Sequence, residues 1–262
     1  MYGQGLLTSI HPTAVIDATA ELDSGVAVGP YAVIGPWVQV GARNSIGPHV
    51  VIRGPTRIGA DNRIFQFASV GEDPQDTKYG GEETFLAIGD GNVIREYATL
   101  HRGTVQDAGK TRIGNHNLFM AYSHVAHDCR IGNHVIMANA ASLAGHVKVQ
   151  DWAILGGFTI VHQFCRIGTH CFCAMGSVVT KDVPPYVIIG GHPAQPRGIN
   201  TEGLRRRKID AATIQQLKTA YHILYLSDRK LEDTVAAMRA LDNDRVNQLA
   251  DFVADRSRSI VR

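Results

Sequence analysis

Residues 123–132, SHVAHDCRIG, contain two histidines three positions apart and a carboxylate directly after the second. Three interpretations of this group are open. His124 and His127 could ligate zinc, whose catalytic sites use three protein ligands. They could lie along one face of a helix. His127 could instead act as a general base whose tautomer is fixed by Asp128. The spacing alone does not decide between them.

Aliphatic residues recur at every sixth position through most of the chain. Each sixth residue from Ile10 to Val70 is Ile, Leu or Val, and the series resumes at Ile88 and again, one residue out of phase, at Ile113. Such hexapeptide repeats predict a left-handed parallel β-helix in which three hexads close one triangular coil. Successive coils stack about 4.8 Å apart.

The position four residues after each aliphatic residue is usually small or Val, which suits the tight interior of such a coil. Asn44, Asn62 and Asn117 are exceptions. The four cysteines occupy inward positions of the repeat, so we expect buried free thiols. They are Cys129, Cys165, Cys171 and Cys173.

The repeat ends near Val179, before two turn-rich stretches at 181–186 and 190–196. Beyond Asn200, apolar residues follow a candidate N-cap at Asp210 at helical spacing, and two further amphipathic segments succeed them. We therefore predict a mainly β protein with a β-helix domain at 1–192 and an α-helical domain at 193–262. Two interruptions of the repeat, 71–87 and 101–112, are expected to be loops that carry function.

A coil of 18 residues converts the histidine motif into a ladder along one edge of the prism. Adding 18 to position 127 reaches Gly145, and adding 36 reaches Gln163. This geometry excludes the helical stripe. It favours general base catalysis over a zinc site or a solvated corner, because carboxylate and amide neighbours suit hydrogen bonding. The predicted ladder contains His124, His127, Asp128, Gly145, His146, His162 and Gln163.

Charge and hydropathy argue against nucleic-acid-binding, membrane-spanning and secreted proteins. The chain has 26 Lys and Arg against 24 Asp and Glu, a balance that argues against a nucleic-acid binder. No segment approaches the roughly 20 apolar residues of a transmembrane helix. The first residues lack the pattern of a secretory signal. We therefore expect a cytoplasmic protein.

Several motifs together resemble one family of hexapeptide acyltransferases. The combination is similar to the UDP-N-acetylglucosamine O-acyltransferases that begin lipid A synthesis in Gram-negative bacteria. The resemblance implies transfer of a 3-hydroxyacyl chain from acyl carrier protein to the sugar 3-hydroxyl of UDP-N-acetylglucosamine. No separate cofactor is implied, because the carrier's phosphopantetheine holds the acyl group. The motifs are QFASVGEDPQDTKYGGE (66–82), HRGT (101–104), HVAHDC (124–129), AGH (144–146), GGFTIVHQF (156–164) and NTEGLRRR (200–207).

The same resemblance implies roles for individual residues. His127 corresponds to the general base, Asp128 to its orienting partner and Gly145 to the amide that binds the oxyanion. Met175 corresponds to the end of the acyl channel, which predicts a chain of about ten carbons rather than about fourteen. The family is a homotrimer with active sites between subunits. The implied substrate contacts are Gln75, Asp76, Lys78, His124, His146, His162, Gln163, Asn200, Glu202 and Arg206.

Other functions stay open on the sequence. An N-acyltransferase of the same pathway usually carries a domain before the prism. An acetyl-CoA-dependent sugar acetyltransferase would not need the 71–87 loop or the NTEGLRRR segment. A γ-type carbonic anhydrase would bind zinc through three histidines. A non-catalytic ice-binding β-helix would show a column of threonines, and the sequence contains none.

Overall fold

The computed structural model describes residues 8–255 and 257–262 of the chain. Over that part, short strands wind into the left-handed parallel β-helix that the repeat predicts, and helices follow it. The first strands are β1 (Ser9–Ile10), β2 (Val15–Ile16), β3 (Glu21–Leu22), β4 (Ala27–Val28), β5 (Val33–Ile34), β6 (Val38–Val40), β7 (Ser45–Ile46), β8 (Val51–Ile52), β9 (Thr56–Ile58), β10 (Arg63–Ile64), β11 (Ser69–Glu72), β12 (Phe85–Ile88), β13 (Val93–Ile94) and β14 (Thr99–His101). They are followed by β15 (Lys110–Ile113), β16 (Leu118–Phe119), β17 (His124–Val125), β18 (Arg130–Ile131), β19 (Ile136–Met137), β20 (Ser142–Leu143), β21 (Lys148–Val149), β22 (Ile154–Leu155), β23 (Ile160–Val161), β24 (Arg166–Ile167), β25 (Phe172–Cys173), β26 (Val178–Val179), β27 (Val187–Gly190) and β28 (Gln195–Ile199).

The strands form three sheets that are the faces of a triangular prism. Sheet 1 begins with β1, β4 and β7, sheet 2 with β2, β5 and β8, and sheet 3 with β3, β6 and β9. Ile10 pairs with Val28 in the next coil, which is the predicted step of 18 residues. In most strands the first residue faces outward and the repeat aliphatic faces inward, because side chains alternate along a strand. Val28, Ile46 and Ile64 are buried in this way.

The three asparagines that break the repeat form a buried ladder together with Asn92, which stands four residues after the repeat aliphatic Ile88. Asn44, Asn62, Asn92 and Asn117 stand in successive coils and are at most 1% exposed. The Oδ1 atom of Asn44 accepts the Asn62 amide at 2.8 Å, and Asn62 accepts the Asn92 amide at the same distance. Each side chain thus satisfies a backbone donor that would otherwise cost about 1–3 kcal/mol when buried.

Two coils are longer than the rest. Ile58 pairs with Ile88 and Ile88 with Ile113, so these coils contain 30 and 25 residues. The extra residues form a first loop at 73–84 and a second loop at 102–109. Both are shorter than the predicted interruptions, because the residues flanking each one continue the strands.

The prism ends in an antiparallel pair, β27 with β28, and the predicted domain boundary at 192 falls inside this hairpin. The helices are α1 (Thr201–Arg206), α2 (Ala211–Tyr225), α3 (Leu231–Arg239) and α4 (Asp244–Ala254). Asp210 caps α2 by accepting the Thr213 amide, as predicted. Helix α1 has only six residues, too few for a periodic signal in the sequence. None of the helices in the described residues has the length and apolar character needed to cross a membrane.

The four cysteines are buried free thiols, as the repeat predicts. Burial raises the pKa of Cys129 and of Cys173 to about 12. The thiolate, which is the reactive form, is therefore suppressed at neutral pH. These side chains fill the core, and the chemistry must come from elsewhere.

Candidate active site

His127 lies where the chain turns from sheet 2 to sheet 3, which we call the His127 corner. Asp128 in this coil and His146 in the next adopt left-handed backbone angles, with φ of 60° and 63°. This turn bends the chain so that Asp128 reaches back to its neighbour. The Asp128 Oδ2 atom lies 2.9 Å from His127 Nδ1.

The Asp128 carboxylate is buried, with its side chain 1% exposed. Burial alone would raise its pKa, but hydrogen bonds from His127 and Thr104 outweigh burial and hold the pKa below the ordinary value. An ionised carboxylate only accepts hydrogen bonds, so His127 Nδ1 carries the proton. The Nε2 atom of His127 therefore presents a lone pair.

Gly145 lies against the His127 ring. A methyl group on Gly145 would come within 2.5 Å of His127 Cε1 and 2.7 Å of Nε2, so only glycine permits this approach. His146 N–H donates to His127 O at 3.0 Å, which confirms that Gly145 stands one coil above His127. The Gly145 amide donates no hydrogen bond to any residue that the structure describes.

The second loop supplies residues that the sequence did not single out. Thr104 donates its amide and its hydroxyl to Asp128, the hydroxyl at 2.6 Å from Oδ2. Asp107 lies 3.1 Å from His146 Nδ1 through its Oδ2 atom. Both residues lie in an insertion that lengthens the coil beyond 18 residues. Their positions beside the His127 corner therefore could not be obtained by counting in steps of 18.

His124 and His101 stand on sheet 2 below the corner. Thr99 Oγ1 lies 2.8 Å from His124 Nδ1, and Asp73 O accepts from His101 Nδ1 at 2.6 Å. Burial, reinforced by the neighbouring His101 and His127, lowers the pKa of His124 to about 4. A neutral imidazole of this kind offers directional hydrogen bonds at neutral pH without a competing charge.

The upper part of the predicted ladder is more open. Phe164 N–H donates to Gly145 O, so Gln163 stands above Gly145 in the column of His127. His162 occupies the adjacent column, because its amide donates to Val179 O as the Ala144 amide does to Val161 O. Both His162 and Gln163 are exposed. His127, Gly145 and His162 therefore border the same corner over three coils.

The first loop is fixed at its base and exposed at its tip. The buried Arg102 guanidinium donates to Gly71 O at 2.7 Å and pairs with Asp73. At the tip, Lys78 N–H donates to Asp76 Oδ1 at 3.0 Å, in a tight local turn. Within the described residues, no hydrogen bond or ion pair joins the loop-tip set to His127. That set is Gln75, Asp76 and Lys78.

The predicted nucleotide contacts lie at a different corner, where sheet 3 meets sheet 1, which we call the Arg206 corner. Asn200 is buried, caps α1 through Gly203 N–H and donates to His170 O at 2.9 Å. Glu202 and Arg206 form an exposed ion pair at 3.0 Å. Within one chain, the width of sheet 3 separates these three residues from His127.

A cationic cavity of about 460 Å³ opens at the Arg206 corner. The Trp152 ring lines it, stacked on His134 with centroids 3.9 Å apart and covered by the Arg207 guanidinium at 4.6 Å. The several cations around this cavity suit a negatively charged ligand. The lining side chains are Trp152, His170, Arg206, Arg207, Lys208, Ile209 and Arg245.

Met175 lies at the third corner, between sheets 1 and 2, and is 80% exposed. No core residue covers it in the described chain, so its side chain is available to limit the length of a bound ligand.

His127, Asp128 and His146 are close enough to be considered as metal ligands, since their donor atoms lie within 4.8 Å of one another. The His127 Nδ1 and Asp128 Oδ2 atoms of this set already share a hydrogen bond. Both Asp128 oxygens also accept hydrogen bonds from Thr104, so this carboxylate is already occupied. The two histidines that remain are fewer than the three protein ligands of a catalytic zinc site.

Comparison with known proteins assigns the family. The family model described as Udp N-acetylglucosamine O-acyltransferase, domain 2, matches residues 182–261, and the bacterial transferase hexapeptide model matches 19–54 and 110–145. The acyl-[acyl-carrier-protein]–UDP-N-acetylglucosamine O-acyltransferase of Alkalilimnicola ehrlichii is 58% identical over 98% of this chain and 100% of its own. This chain belongs to the UDP-N-acetylglucosamine O-acyltransferase family.

Solved structures of the family share the whole architecture. LpxA of Acinetobacter baumannii has a TM-score of 0.94 at 46% identity, covering 97% of this chain and 99% of its own. The UDP-N-acetylglucosamine O-acyltransferase of Moraxella catarrhalis gives the same TM-score and coverage at 43% identity. As a member of this family, the chain is an O-acyltransferase.

The buried histidines of this O-acyltransferase predict acid sensitivity. Burial, followed by the charges of Arg207 and Arg245, lowers the pKa of His170 to about 4. Between pH 6.5 and 4 the unfolded chain binds a proton that folded His170 does not, so stability falls as pH falls, by up to about 1.4 kcal/mol per pH unit. Urea titrations from pH 7 to 4.5 should show a shallower loss for His170→Gln than for the unchanged protein. Parallel curves would contradict this assignment.

Proposed function

We propose that the chain transfers a 3-hydroxyacyl group from acyl carrier protein to the 3-hydroxyl of UDP-N-acetylglucosamine, the first step of lipid A synthesis. The observation that carries the proposal is the His127–Asp128 pair set against the free amide of Gly145 one coil above. The named relatives act on the same two substrates. We also propose that the reaction takes place in the cytoplasm.

His127 acts as the general base. Its Nδ1–H is held by Asp128, so Nε2 removes the proton from the sugar hydroxyl as the oxygen attacks the thioester carbonyl. The buried carboxylate then stabilises the imidazolium that forms. A positioned base of this kind contributes about 10²–10⁴ in rate.

Gly145 stabilises the tetrahedral intermediate. Attack converts the carbonyl oxygen to an oxyanion, and the unoccupied Gly145 amide is positioned to donate to it. One such donor is worth about 3–4 kcal/mol of barrier. Collapse breaks the C–S bond, and the His127 imidazolium protonates the departing thiolate. The products are the O-acylated sugar nucleotide and the carrier with a free thiol.

The surface of the prism supports a homotrimer. Sheet 1 presents Leu118, Ile136 and Ile154 outward, whereas sheet 2 presents Val33, which is 36% exposed, and Ile160, which is 55% exposed. Sheet 3 instead presents charged residues such as Arg112 and Arg130. Two apolar faces that meet at one corner suit a closed three-fold ring in which sheet 1 of one copy covers sheet 2 of the next. An aromatic column follows that corner: Tyr31, His49, Phe67, Tyr97 and Tyr122.

The proposed trimer brings together the two corners that the active site needs. With sheets 1 and 2 paired, the His127 corner of each copy faces the Arg206 corner of its neighbour. The base would come from one subunit and the nucleotide contacts Asn200, Glu202 and Arg206 from the next. His124, His146, His162 and Gln163 would line the cleft, with Gln75, Asp76 and Lys78 closing it from the first loop. Arg206 would exchange its present partner Glu202 for a diphosphate oxygen.

Met175 sets the acyl-chain length in this proposal. Its exposed side chain blocks the channel between prisms, so we expect a preference for about ten carbons over about fourteen. Met175→Gly should raise the rate with the fourteen-carbon carrier substrate about tenfold or more relative to the ten-carbon one. Competition assays with both acyl carriers measure this ratio. An unchanged ratio in Met175→Gly would remove Met175 from the channel.

The proposed function is tested by incubating the purified enzyme with UDP-N-acetylglucosamine and 3-hydroxyacyl carrier protein. We expect an O-acylated sugar nucleotide, identified by mass spectrometry, with no added cofactor. Transfer that persists after dialysis against EDTA fits base catalysis. Stoichiometric zinc, with loss of activity on its removal, would favour the metal alternative instead.

A further inference from the structure

The HRGT segment, residues 101–104, forms the base of the second loop and ends directly on the catalytic carboxylate. Arg102 is buried and fixes the segment to the first loop through Gly71 O. A methyl group on Gly103 would lie 2.1 Å from Lys110 N, so only glycine lets the returning strand pass. The Arg102 anchor and the close packing at Gly103 together fix the position of Thr104.

Thr104 donates more hydrogen bonds to Asp128 than any other described residue. Its amide lies 3.0 Å from Oδ1 and 3.1 Å from Oδ2, and its hydroxyl lies 2.6 Å from Oδ2. Thr104 is 1% exposed, so water does not compete for these bonds. The Asp128 backbone is fixed separately, by its own amide donating to Thr111 Oγ1 at 2.8 Å.

We propose that Thr104 is a positioning residue of the reaction, which holds the Asp128 carboxylate in the orientation that fixes His127. This role rests on the proposed function, because it acts through the base. Without the hydroxyl, the carboxylate keeps the Thr104 amide and His127 as donors but loses the shortest of its hydrogen bonds, so its orientation is held less firmly. The His127 ring would then lose its fixed orientation toward Gly145.

Asp107 of the same loop extends this support. It lies 3.1 Å from His146 Nδ1 and 3.5 Å from the Arg130 guanidinium. The His146 ring in turn packs edge-on against His127, with centroids 5.0 Å apart. The second loop therefore contacts His146 directly through Asp107 and reaches His127 through the contact of Thr104 with Asp128.

A double-mutant cycle tests the proposal. We expect Thr104→Val to lower kcat about tenfold with KM for UDP-N-acetylglucosamine within about twofold, and Thr104→Ser to stay near the unchanged enzyme. In an Asp128→Asn background, Thr104→Val should cause no further loss, because its effect passes through the missing carboxylate. Thr234→Val is the matched control, since it removes a buried hydroxyl of α3 that donates to Lys230 O.

The outcomes separate this proposal from the proposed function. No acyl transfer by the unchanged enzyme would overturn the function itself. Transfer by the unchanged enzyme, with losses from Thr104→Val and Asp128→Asn that multiply, would overturn only the positioning role. Full activity of Thr104→Val would do the same. If Thr104→Val does not fold, the Thr104→Ser and Thr104→Ala rates in both backgrounds supply the cycle.

Discussion

His127→Ala is expected to lower kcat for acyl transfer about a thousandfold, because His127 is the imidazole that lies against Gly145 with its Nδ1 held by Asp128. Asp128 then has no imidazole to orient, and the sugar hydroxyl would have to lose its proton to water. The fold should survive, since His127 packs outside the aliphatic core. Single-turnover transfer measured by mass spectrometry gives the rate.

The matched control for this variant is His11→Ala. His11 is an exposed histidine of the first coil that hydrogen-bonds Thr13, far from both the His127 corner and the Arg206 corner. We expect full activity from this control. A His127→Ala enzyme that keeps more than about a tenth of the unchanged rate would remove His127 from the role of base.

Gly145→Ala is expected to lower kcat at least about a hundredfold while leaving the fold intact. The backbone of Gly145 is not left-handed, so alanine fits the main chain, but its methyl would fall 2.5 Å from His127 Cε1. The ring must move, and both the base and the oxyanion donor lose their alignment with the thioester. A displacement of about 1 Å at such a site can cost about a hundredfold.

Gly35→Ala provides the control for Gly145→Ala. Gly35 lies at the same kind of corner in a distant coil, and its added methyl would come no nearer than 3.3 Å to Ile52 O. Thermal melting of both variants separates folding from chemistry. Normal transfer by Gly145→Ala would show that the His127 ring does not need its present position.

The repeat predicted the fold and the core of the site because an 18-residue coil converts sequence distance into position. His127, Gly145 and Gln163 fall in one column for that reason alone. The contact between Asp128 and His127 needed one further fact, the left-handed corner at Asp128. Neighbouring residues of an extended strand would have pointed apart.

The sequence did not predict the contacts made by residues outside the regular 18-residue coils. Thr104 and Asp107 belong to an insertion, so their contacts with Asp128 and His146 follow from loop packing. The motif NTEGLRRR predicts only a nucleotide contact for Asn200, yet this residue is buried and caps α1. Its capping role follows from helix chemistry, since asparagine is a favoured N-cap, but α1 was too short to be recognised.

In the proposed trimer, one active site is built from two corners that a single chain holds apart. This arrangement is tested most directly by coexpressing His127→Ala and Arg206→Ala subunits with different tags and purifying the assemblies that carry both. Each such trimer contains one site with an intact His127 corner facing an intact Arg206 corner. If the site spans two subunits, we expect about one third of the wild-type rate from these mixed trimers and almost none from either parent. Mixed trimers no more active than their parents would contradict it.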